Sequence, residues 1–489
     1  MKAKSITRNF IYDLIYKVIT LLIPLVTAPY ISRVIGVDGI GYYSYTSSIC
    51  AYFGLVAILG TNIYGQREIA FCNGNKKQYS KKFGEIYILR VLLICITACI
   101  YIFFSFHMKG RVRVLLLLQT VDIICLNFDI TWFFQGIEEF GLILYRNIIL
   151  KTLSVLSIFL FVKTEEDLYW YVFLTSMAVV IGNLSLWFGL KRYIVKVDIS
   201  LVEVGKHLRP AILLFIPTIA LKLYEQIDKT MLGVLSSSSA ESGYYELTTK
   251  IIVIVITFVT SIGTVLSPRM AALYSQNDEK KIESLLYKSF EIIWALALPV
   301  SFGIIAISDA FVPLFFGAGY EKVVLLLRIL AIICIPMGLK NIIGIQYFIP
   351  TMRERLYTKF ILVGLTLNIC LNFILIPQYF SIGAAVASIV SETIIVVLQF
   401  FSIREKVKLN KVLELCKKKA CAAFVMAVVI KLGIRIVPGS LTSLLFLIFV
   451  GVLIYSGLLI LFHDNITCEA LRMVYRKIKN TRIPKKNRI

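Results

Sequence analysis

The sequence predicts an all-α polytopic membrane protein with about fourteen transmembrane helices. The chain has 489 residues, of which 58% are hydrophobic and 17% are charged, and its mean hydropathy is +0.82. Its apolar runs are mostly about twenty residues long, the length of a helix that crosses a bilayer. Strands of about ten residues with alternating polarity, typical of an outer-membrane barrel, are absent from the sequence. No polar stretch is long enough to form a soluble domain with its own core.

The apolar segments, each about 18 to 25 residues long, define the expected helices. Their spans are 10–34, 40–64, 84–107, 113–135, 141–162, 168–190, 211–234, 244–267, 289–312, 323–349, 357–377, 381–403, 417–437 and 441–462. The first span is too long for a signal-peptide core and lacks a small-residue cleavage site. We therefore expect it to be a permanent helix.

The distribution of Lys and Arg predicts how these helices are oriented. With a cytoplasmic amino terminus, the inward-facing segments hold about 36 basic residues and the outward-facing segments about 7, as the positive-inside rule requires. Lys109, Arg111 and Arg113 are an exception, because the same scheme places them outside. The basic carboxyl-terminal tail is then expected to lie against anionic lipid rather than to bind nucleic acid. Both termini are predicted to be cytoplasmic.

A short internal repeat indicates that the chain contains two related halves. Gly36-Val37 is followed by Gly41-Tyr42-Tyr43, and Gly233-Val234 is followed by Gly243-Tyr244-Tyr245. Both copies begin from the same side of the membrane, which predicts a parallel duplication of two six-helix lobes. The expected divisions are an amino-terminal lobe in 1–195, a second lobe in 196–405, and helices 13 and 14 with the basic tail in 406–489.

The expected seventh helix carries polar side chains within an apolar run. They recur with the spacing i, i+3, i+4 and i+7, which places them on one helix face. These side chains are Lys222, Glu225, Gln226 and Lys229, with Asp228 beside them. A Lys or Asp at the centre of a membrane helix costs about 2.5 to 3.5 kcal/mol on insertion scales. This face is therefore expected to contact a partner or water rather than lipid.

Other ionisable residues within the expected helices complete the set of candidate site residues. An excess of cations in a central cavity would suit an anionic substrate, a phosphate above all. The candidates for substrate contacts are Lys222, Lys229, Lys250, Arg146 and Lys17. The candidates for balancing these charges or binding a coupling cation are Glu225, Asp228, Asp122 and Asp129. Interhelical ion pairs that only fix packing are an equally open interpretation for the deeper residues, and those near helix ends can extend to the interface.

The sequence contains no motif for catalysis, metal binding or cofactor binding. It has neither a G-x-x-x-x-G-K-[ST] loop nor an H-E-x-x-H segment, and its three histidines stand alone. Its ten cysteines include no C-x-x-C pair and are expected to be packing residues without disulfides. We therefore expect a transporter and not an enzyme, with no catalytic residue, no metal, no cofactor and no nucleic-acid partner.

Three segments resemble a known group of membrane transporters. Residues 217–266, with Asp228-Lys229, Met231-Leu232-Gly233 and Gly243-Tyr244-Tyr245, look like the polysaccharide-transporter flippases of bacterial O-antigen, capsule and exopolysaccharide assembly. Residues 129–136, followed by Glu138 and Arg146, resemble the fourth-to-fifth helix signature of that family. The segment Arg33 to Gly41 is similar to a motif of the whole multidrug/oligosaccharidyl-lipid/polysaccharide exporter superfamily.

The resemblance implies a two-lobed helical bundle that works by alternating access. It would move an undecaprenyl-pyrophosphate-linked oligosaccharide from the cytoplasmic to the outer leaflet of the bacterial cell membrane. The implied partners are that lipid-linked oligosaccharide and membrane lipid, with a polysaccharide polymerase and glycosyltransferases as candidate protein partners.

Three alternatives remain open from the sequence. A multidrug/cation antiporter of the same architecture would need an acidic or apolar cavity, which the cations of the seventh helix disfavour. A lipid II flippase would differ in its sugar cargo more than in its mechanism. A membrane-embedded glycosyltransferase or polymerase would be expected to have a sizeable loop that carries carboxylates, whereas the outer loops here are short.

Overall fold

The computed structural model describes residues 23–72, 74–437, 439–464 and 467, and these residues are almost entirely helical. The helices are α1 (23–34), α2 (Gly36–Ile58), α3 (Thr61–Phe71), α4 (Lys76–His107), α5 (Gly110–Ile124), α6 (Thr131–Gly136), α7 (Phe140–Phe161), α8 (Leu168–Leu190), α9 (Leu201–Lys206), α10 (Leu208–Leu235), α11 (Ser239–Ser275), α12 (Glu279–Phe315), α13 (Glu321–Leu330), α14 (Cys334–Asn341), α15 (Glu354–Ile403), α16 (Leu409–Ile436) and α17 (Leu441–Leu461). No β-strand occurs in these described ranges.

Ten helices in the described part of the chain are long and apolar enough to cross a membrane. One of them, α15, has 50 residues and consists of two helices merged across a kink at Phe380. Helices α10 and α16 have 28 residues each and carry several charged side chains. Together with α1, these elements are consistent with the expected fourteen helices, and the predicted all-α polytopic fold is confirmed.

Local sequence explains where several helices begin. The Asn75 side chain accepts a hydrogen bond from the Gln78 backbone nitrogen at the start of α4. At the start of α17, the Ser440 side chain accepts one from the Ser443 backbone nitrogen. Asp278 caps α12 by accepting from the Lys281 backbone nitrogen. Hydrogen bonds from the Lys281 side chain and backbone hold the pKa of Asp278 below its usual value. These side chains satisfy backbone donors that have no partner within the helix.

The described residues form two compact units. The first comprises the described residues up to Leu247 together with Ile369–Ala384, and the second comprises Thr248–Asn368 with the described residues from Ala385 onward. Within the described residues, the core of the first unit includes an apolar cluster around Trp132 and Phe133 and another around Tyr101. The core of the second unit is one larger cluster that includes Phe290, whose ring stacks on Phe400.

The two copies of the internal repeat pack against each other in the first unit. A Cβ atom on Gly41 would lie 1.8 Å from the carbonyl oxygen of Ser239, and one on Gly243 would lie 2.1 Å from that of Val37. Each obstacle is a backbone atom, so no change of side-chain rotamer could relieve the overlap. The glycines allow α2 and α11 to approach at their backbones, as small residues do between membrane helices.

A buried ion cluster joins three elements in the second unit. Lys419 of α16 is 1% exposed, and its ammonium pairs with Glu291 of α12 at 3.5 Å and with Asp464, which follows α17. Lys418 donates to the carbonyl oxygen of Phe462 at 2.8 Å, so the end of α17 is held twice by α16. One buried cation thus compensates two carboxylates, which fastens α16 and α17 to α12.

We predict that Gly41→Val destabilises the protein. The branched side chain would push the α2 and α11 backbones apart, and overpacking of this kind costs about 1 to 3 kcal/mol or more. The melting temperature of the purified protein in detergent should fall. Gly457→Val is the matched control, because nothing lies within 4 Å of a Cβ atom on this glycine of α17. Equal melting temperatures for the two variants would contradict the close packing.

We also predict that Lys419→Met destabilises the second unit. It leaves two carboxylates without their cation, and breaking a buried pair in this way costs about 3 to 5 kcal/mol. Glu291→Gln should have a much smaller effect, since Asp464 still pairs with Lys419. The measurement is the detergent concentration or temperature at which each purified variant loses its monodisperse state. The prediction fails if Glu291→Gln is as damaging as Lys419→Met.

Candidate functional site

Among the described residues, the polar face of α10 contains two ion pairs with different degrees of burial. Because residues 208–235 are helical, the spacing of these side chains places them on one face as expected. Lys222 lies 2.6 Å from Glu225, and both side chains are about half exposed, at 49% and 53%. Lys229 lies 2.7 Å from Glu246 of α11, at 21% and 8% exposed. The exposed pair is thus internal to α10, whereas the more buried pair connects α10 to the start of α11.

Glu246 connects three helices of the first unit. The carboxylate oxygen that receives the Lys229 ammonium also accepts a hydrogen bond from Ser44 of α2 at 3.1 Å. Ser44 follows the first Gly-Tyr-Tyr segment and Glu246 follows the second, so the two equivalent positions of the repeat contact each other. Ser48, one helical turn after Ser44 in α2, is hydrogen-bonded to Thr230 of α10 at 2.8 Å. We call Lys229, Glu246 and Ser44 the α10 clasp.

Asp228 lies next to the clasp in a buried, hydrogen-bonded environment. Its side chain is 9% exposed. One carboxylate oxygen accepts from the Tyr245 hydroxyl, and the other accepts from the Asn372 amide at 2.7 Å. A third buried carboxylate, Glu241, accepts from both the backbone nitrogen and the hydroxyl of Ser381, at 3.2 and 2.6 Å. Residues 369–384 therefore contribute polar partners both to α10 and to the start of α11.

The remaining candidate residues lie in other places. Lys17 lies outside the described residues. Lys250 is on α11 and belongs to the second unit. Arg146 of α7 donates to Asn147 at 2.8 Å and to Asn183 of α8. The structure thus brings Lys229 and Asp228 together with Glu246, while Arg146 belongs to a separate polar group within the first unit.

Asp122 and Asp129 flank a break in a membrane helix. Helix α5 ends at Ile124, a 3-10 turn covers Cys125–Phe128, and Asp129 is extended before α6 begins. Asp129 lies 3.6 Å from Arg90, a guanidinium with no exposed surface. Asp122 lies near the Ser176 hydroxyl of α8. Both carboxylates therefore have polar neighbours in the first unit.

The break at Asp129 leaves backbone carbonyls that side chains satisfy. Arg90 donates to the oxygen of Leu126 at 3.2 Å. Asn183 and Trp187 of α8 donate to those of Cys125 and Phe128, at 3.1 and 2.9 Å. Irregular backbone at membrane depth is tolerated only where such partners replace the helical hydrogen bonds.

His207, which has no neighbouring motif in the sequence, has two polar partners in the structure. It is 3% exposed and lies between Glu85 at 2.9 Å and the Tyr64 hydroxyl at 2.8 Å. These residues come from α3, α4 and the start of α10, and no local motif connects them. The nine cysteines in the described ranges are free thiols.

Several site residues were missed by the sequence analysis. Glu246, Ser44, Asn372 and Glu241 all bind polar groups near α10. A signal for two of them was available, because Ser44 and Glu246 occupy the same position after each Gly-Tyr-Tyr segment. Asn372 and Ser381 had no such signal, since their contacts depend on the return of a distant segment.

Comparisons with known proteins agree with this architecture. The solved structure of the lipid II flippase MurJ in an inward closed conformation superposes with a TM-score of 0.74, covering 94% of this chain and 100% of that one at 16% identity. A multidrug resistance MATE family transporter in an inward-facing conformation gives 0.58, covering 81% and 99% at 13% identity. At these identities the likeness shows the fold.

Sequence relatives are named as glycan transporters. A putative O-antigen transporter of Escherichia coli (strain K12) is 24% identical over 82% of this chain and 97% of its own length. A probable low-salt glycan biosynthesis flippase of Haloferax volcanii is 27% identical over 49% of this chain and 50% of its own. The family model described as "Polysaccharide biosynthesis protein" matches residues 6–274, more than half of the chain. The chain is therefore a member of the polysaccharide biosynthesis protein family.

Proposed function

We propose that this protein is a flippase for surface polysaccharide assembly. It moves undecaprenyl-pyrophosphate-linked oligosaccharide repeat units from the cytoplasmic to the outer leaflet of a bacterial cell membrane, by alternating access and without catalysing a reaction. Family membership supports this cargo class, and the cations of α10 are the feature that could bind its pyrophosphate. Both termini are cytoplasmic in this proposal, as the distribution of Lys and Arg predicts.

The observation that carries the proposal is that the lysines of α10 are paired with single carboxylates and still partly exposed. Lys222 and Lys229 retain 49% and 21% of their side-chain exposure. A pyrophosphate offers more negative charge and more acceptor oxygens than one carboxylate, so it competes well for such an ammonium. Lys250, Arg146 and Lys17 remain further candidates for substrate contact, while Glu225, Asp228, Asp122 and Asp129 balance charge or bind a coupling cation.

Two lobes would move relative to each other during transport. The proposal keeps the divisions expected from the repeat, with lobes in 1–195 and 196–405 followed by 406–489. The headgroup would enter a cationic, partly hydrated cavity, and the polyprenyl tail would stay in lipid. A polysaccharide polymerase and glycosyltransferases are the proposed protein partners, since they consume and supply such a lipid-linked glycan.

Deletion of the gene in its own bacterium tests the function. We expect surface polysaccharide to be lost and an undecaprenyl-linked oligosaccharide to accumulate on the cytoplasmic side, because synthesis continues while translocation stops. Lipid extraction and mass spectrometry would identify the intermediate. Unchanged glycans together with altered drug sensitivity would contradict the proposal and favour a multidrug antiporter. Accumulation of a peptidoglycan precursor would favour a lipid II flippase.

The substitution Lys229→Gln tests the anion contact. A hydrogen bond to a charged group contributes about 1.5 to 3 kcal/mol, so polymer export should fall about tenfold or more at equal protein abundance. Export is measured as surface polysaccharide per cell, with membrane protein quantified in parallel. Lys431→Gln is the control, since Lys431 is an exposed lysine of α16. Full export by Lys229→Gln would exclude this residue as a substrate contact.

A further inference from the structure

The second unit contains an ion pair that is buried among apolar helices. Glu392 of α15 is 1% exposed, and one of its carboxylate oxygens lies 2.6 Å from the ammonium of Lys340 in α14. The other oxygen, Oε2, is buried and has no hydrogen-bond partner among the described residues. An ionised carboxylate normally accepts several hydrogen bonds. Glu392 is therefore only half satisfied by the protein.

Further buried polar atoms without partners lie near the same helices. Gln399 is seven residues after Glu392, so it lies on the same face of α15 about 10 Å along the helix axis. It has no exposed surface, and neither atom of its amide has a partner within the described ranges. Gln346 is equally buried and donates to Ser289 of α12 at 2.7 Å, while its Oε1 atom has no partner there.

Packing brings these polar groups towards one another. Phe290 follows Ser289 in the chain, Phe400 follows Gln399, and the two rings stack with centroids 5.3 Å apart. Gln346 lies in a π-helix, Ile342–Phe348, that begins directly after α14. Such π-helical segments are rare in proteins, and those that occur often lie at functional sites. The elements that carry the ion pair, α15 and α14 with the π-helix that follows it, thus also carry buried polar side chains.

Two titratable groups face Glu392 from the elements packed around it. Lys340 approaches from α14, and Tyr357 approaches from the first half of α15. Buried polar atoms without protein partners are usually satisfied by internal water. The ammonium of Lys340 disfavours a metal cation at this position, since it would be repelled. A proton is repelled too, but it forms a covalent O–H bond with a single carboxylate oxygen and needs no shell of several oxygen ligands, which a metal cation would require beside the ammonium.

We propose that Glu392 is a proton-binding site reached through internal water held by Gln399, Gln346 and Ser289. Under the predicted topology this path leads from the carboxyl-terminal end of α15, on the cytoplasmic side, to the middle of the membrane. A hydronium ion transfers its proton to a Glu392 carboxylate oxygen and becomes water. The carboxylate becomes a neutral acid, and Lys340 remains an ammonium. The use of this proton to drive transport rests on the proposed flippase function, whereas proton binding at Glu392 does not.

The proton site is tested by infrared spectroscopy of the full-length protein in liposomes. Titration from alkaline to acidic pH should produce, beyond the bands that the other Asp and Glu side chains give in both proteins, a carboxylic acid C=O band that the wild type has and Glu392→Gln lacks. Glu291→Gln should keep the band, since this control removes a different carboxylate, 13% exposed, that also pairs with a lysine. A band of equal intensity in wild type and Glu392→Gln would overturn the site.

A second variant separates loss of the site from loss of the fold. Glu392→Gln removes the carboxylate that pairs with Lys340, so the double variant Lys340→Gln/Glu392→Gln removes both charges and should fold and lack the band. Gln399→Leu should retain the band but slow its shift after transfer to deuterated water. Unchanged exchange in Gln399→Leu would overturn the proposed path.

Transport distinguishes this inference from the function on which its coupling rests. The probe is the lipid-linked oligosaccharide extracted from the deletion strain, placed in liposomes with an imposed pH gradient. The gradient should accelerate translocation by the wild type and by Glu291→Gln, and this acceleration should be lost in both variants that lack Glu392. Equal acceleration in all variants would overturn the coupling role. No translocation by the wild type would overturn the proposed function, and the infrared band would still decide the proton site.

Discussion

The pairing of charge inside an apolar environment is the constraint on which the rest of this structure depends. A charged side chain within membrane helices must find a counter-ion, a hydrogen-bond partner or water. The described charges follow this rule in different ways: Lys229 contacts Glu246, Arg90 lies between Asp129 and Asn62, and Lys419 compensates two carboxylates. Each arrangement connects separate helices, so the charges that are costly to bury also determine which helices pack together.

The pairs differ in how easily their partners could be exchanged. Lys419 is 1% exposed and has two carboxylates for its one charge, which suits a permanent fastening of α16 and α17. The pairs of α10 have one carboxylate for each lysine and remain partly exposed. An anionic headgroup can compete for a lysine of the second kind but not for one of the first. This difference separates a structural ion pair from a candidate transport site without reference to the family.

The sequence was sufficient to predict the helical class, the approximate spans and the polar face of α10, because hydropathy and helical periodicity are local properties. It did not predict which charges meet. Asn372 reaches Asp228 across 144 residues of chain, and Tyr64 reaches His207 across 143. It also did not predict Glu392, since one carboxylate in a long apolar run gives no local indication of its partner. The break at Asp129 was likewise hidden within an apolar run, because its carbonyls are satisfied by side chains from α4 and α8.

The contact between Ser44 and Glu246 shows that two copies of a duplicated segment can need different residues at the same position. When two copies of a segment meet about a local symmetry axis, equivalent positions face each other, as in an isologous dimer interface. Glutamate in both copies would place two carboxylates together, and serine in both would leave Lys229 without its counter-ion. The donor and the acceptor must therefore come from different copies. Gly41 and Gly243, by contrast, must remain identical, because the same backbone obstacle faces each of them. Within one short motif, the fold thus requires the same residue in both copies at one position and different residues in the two copies three positions later.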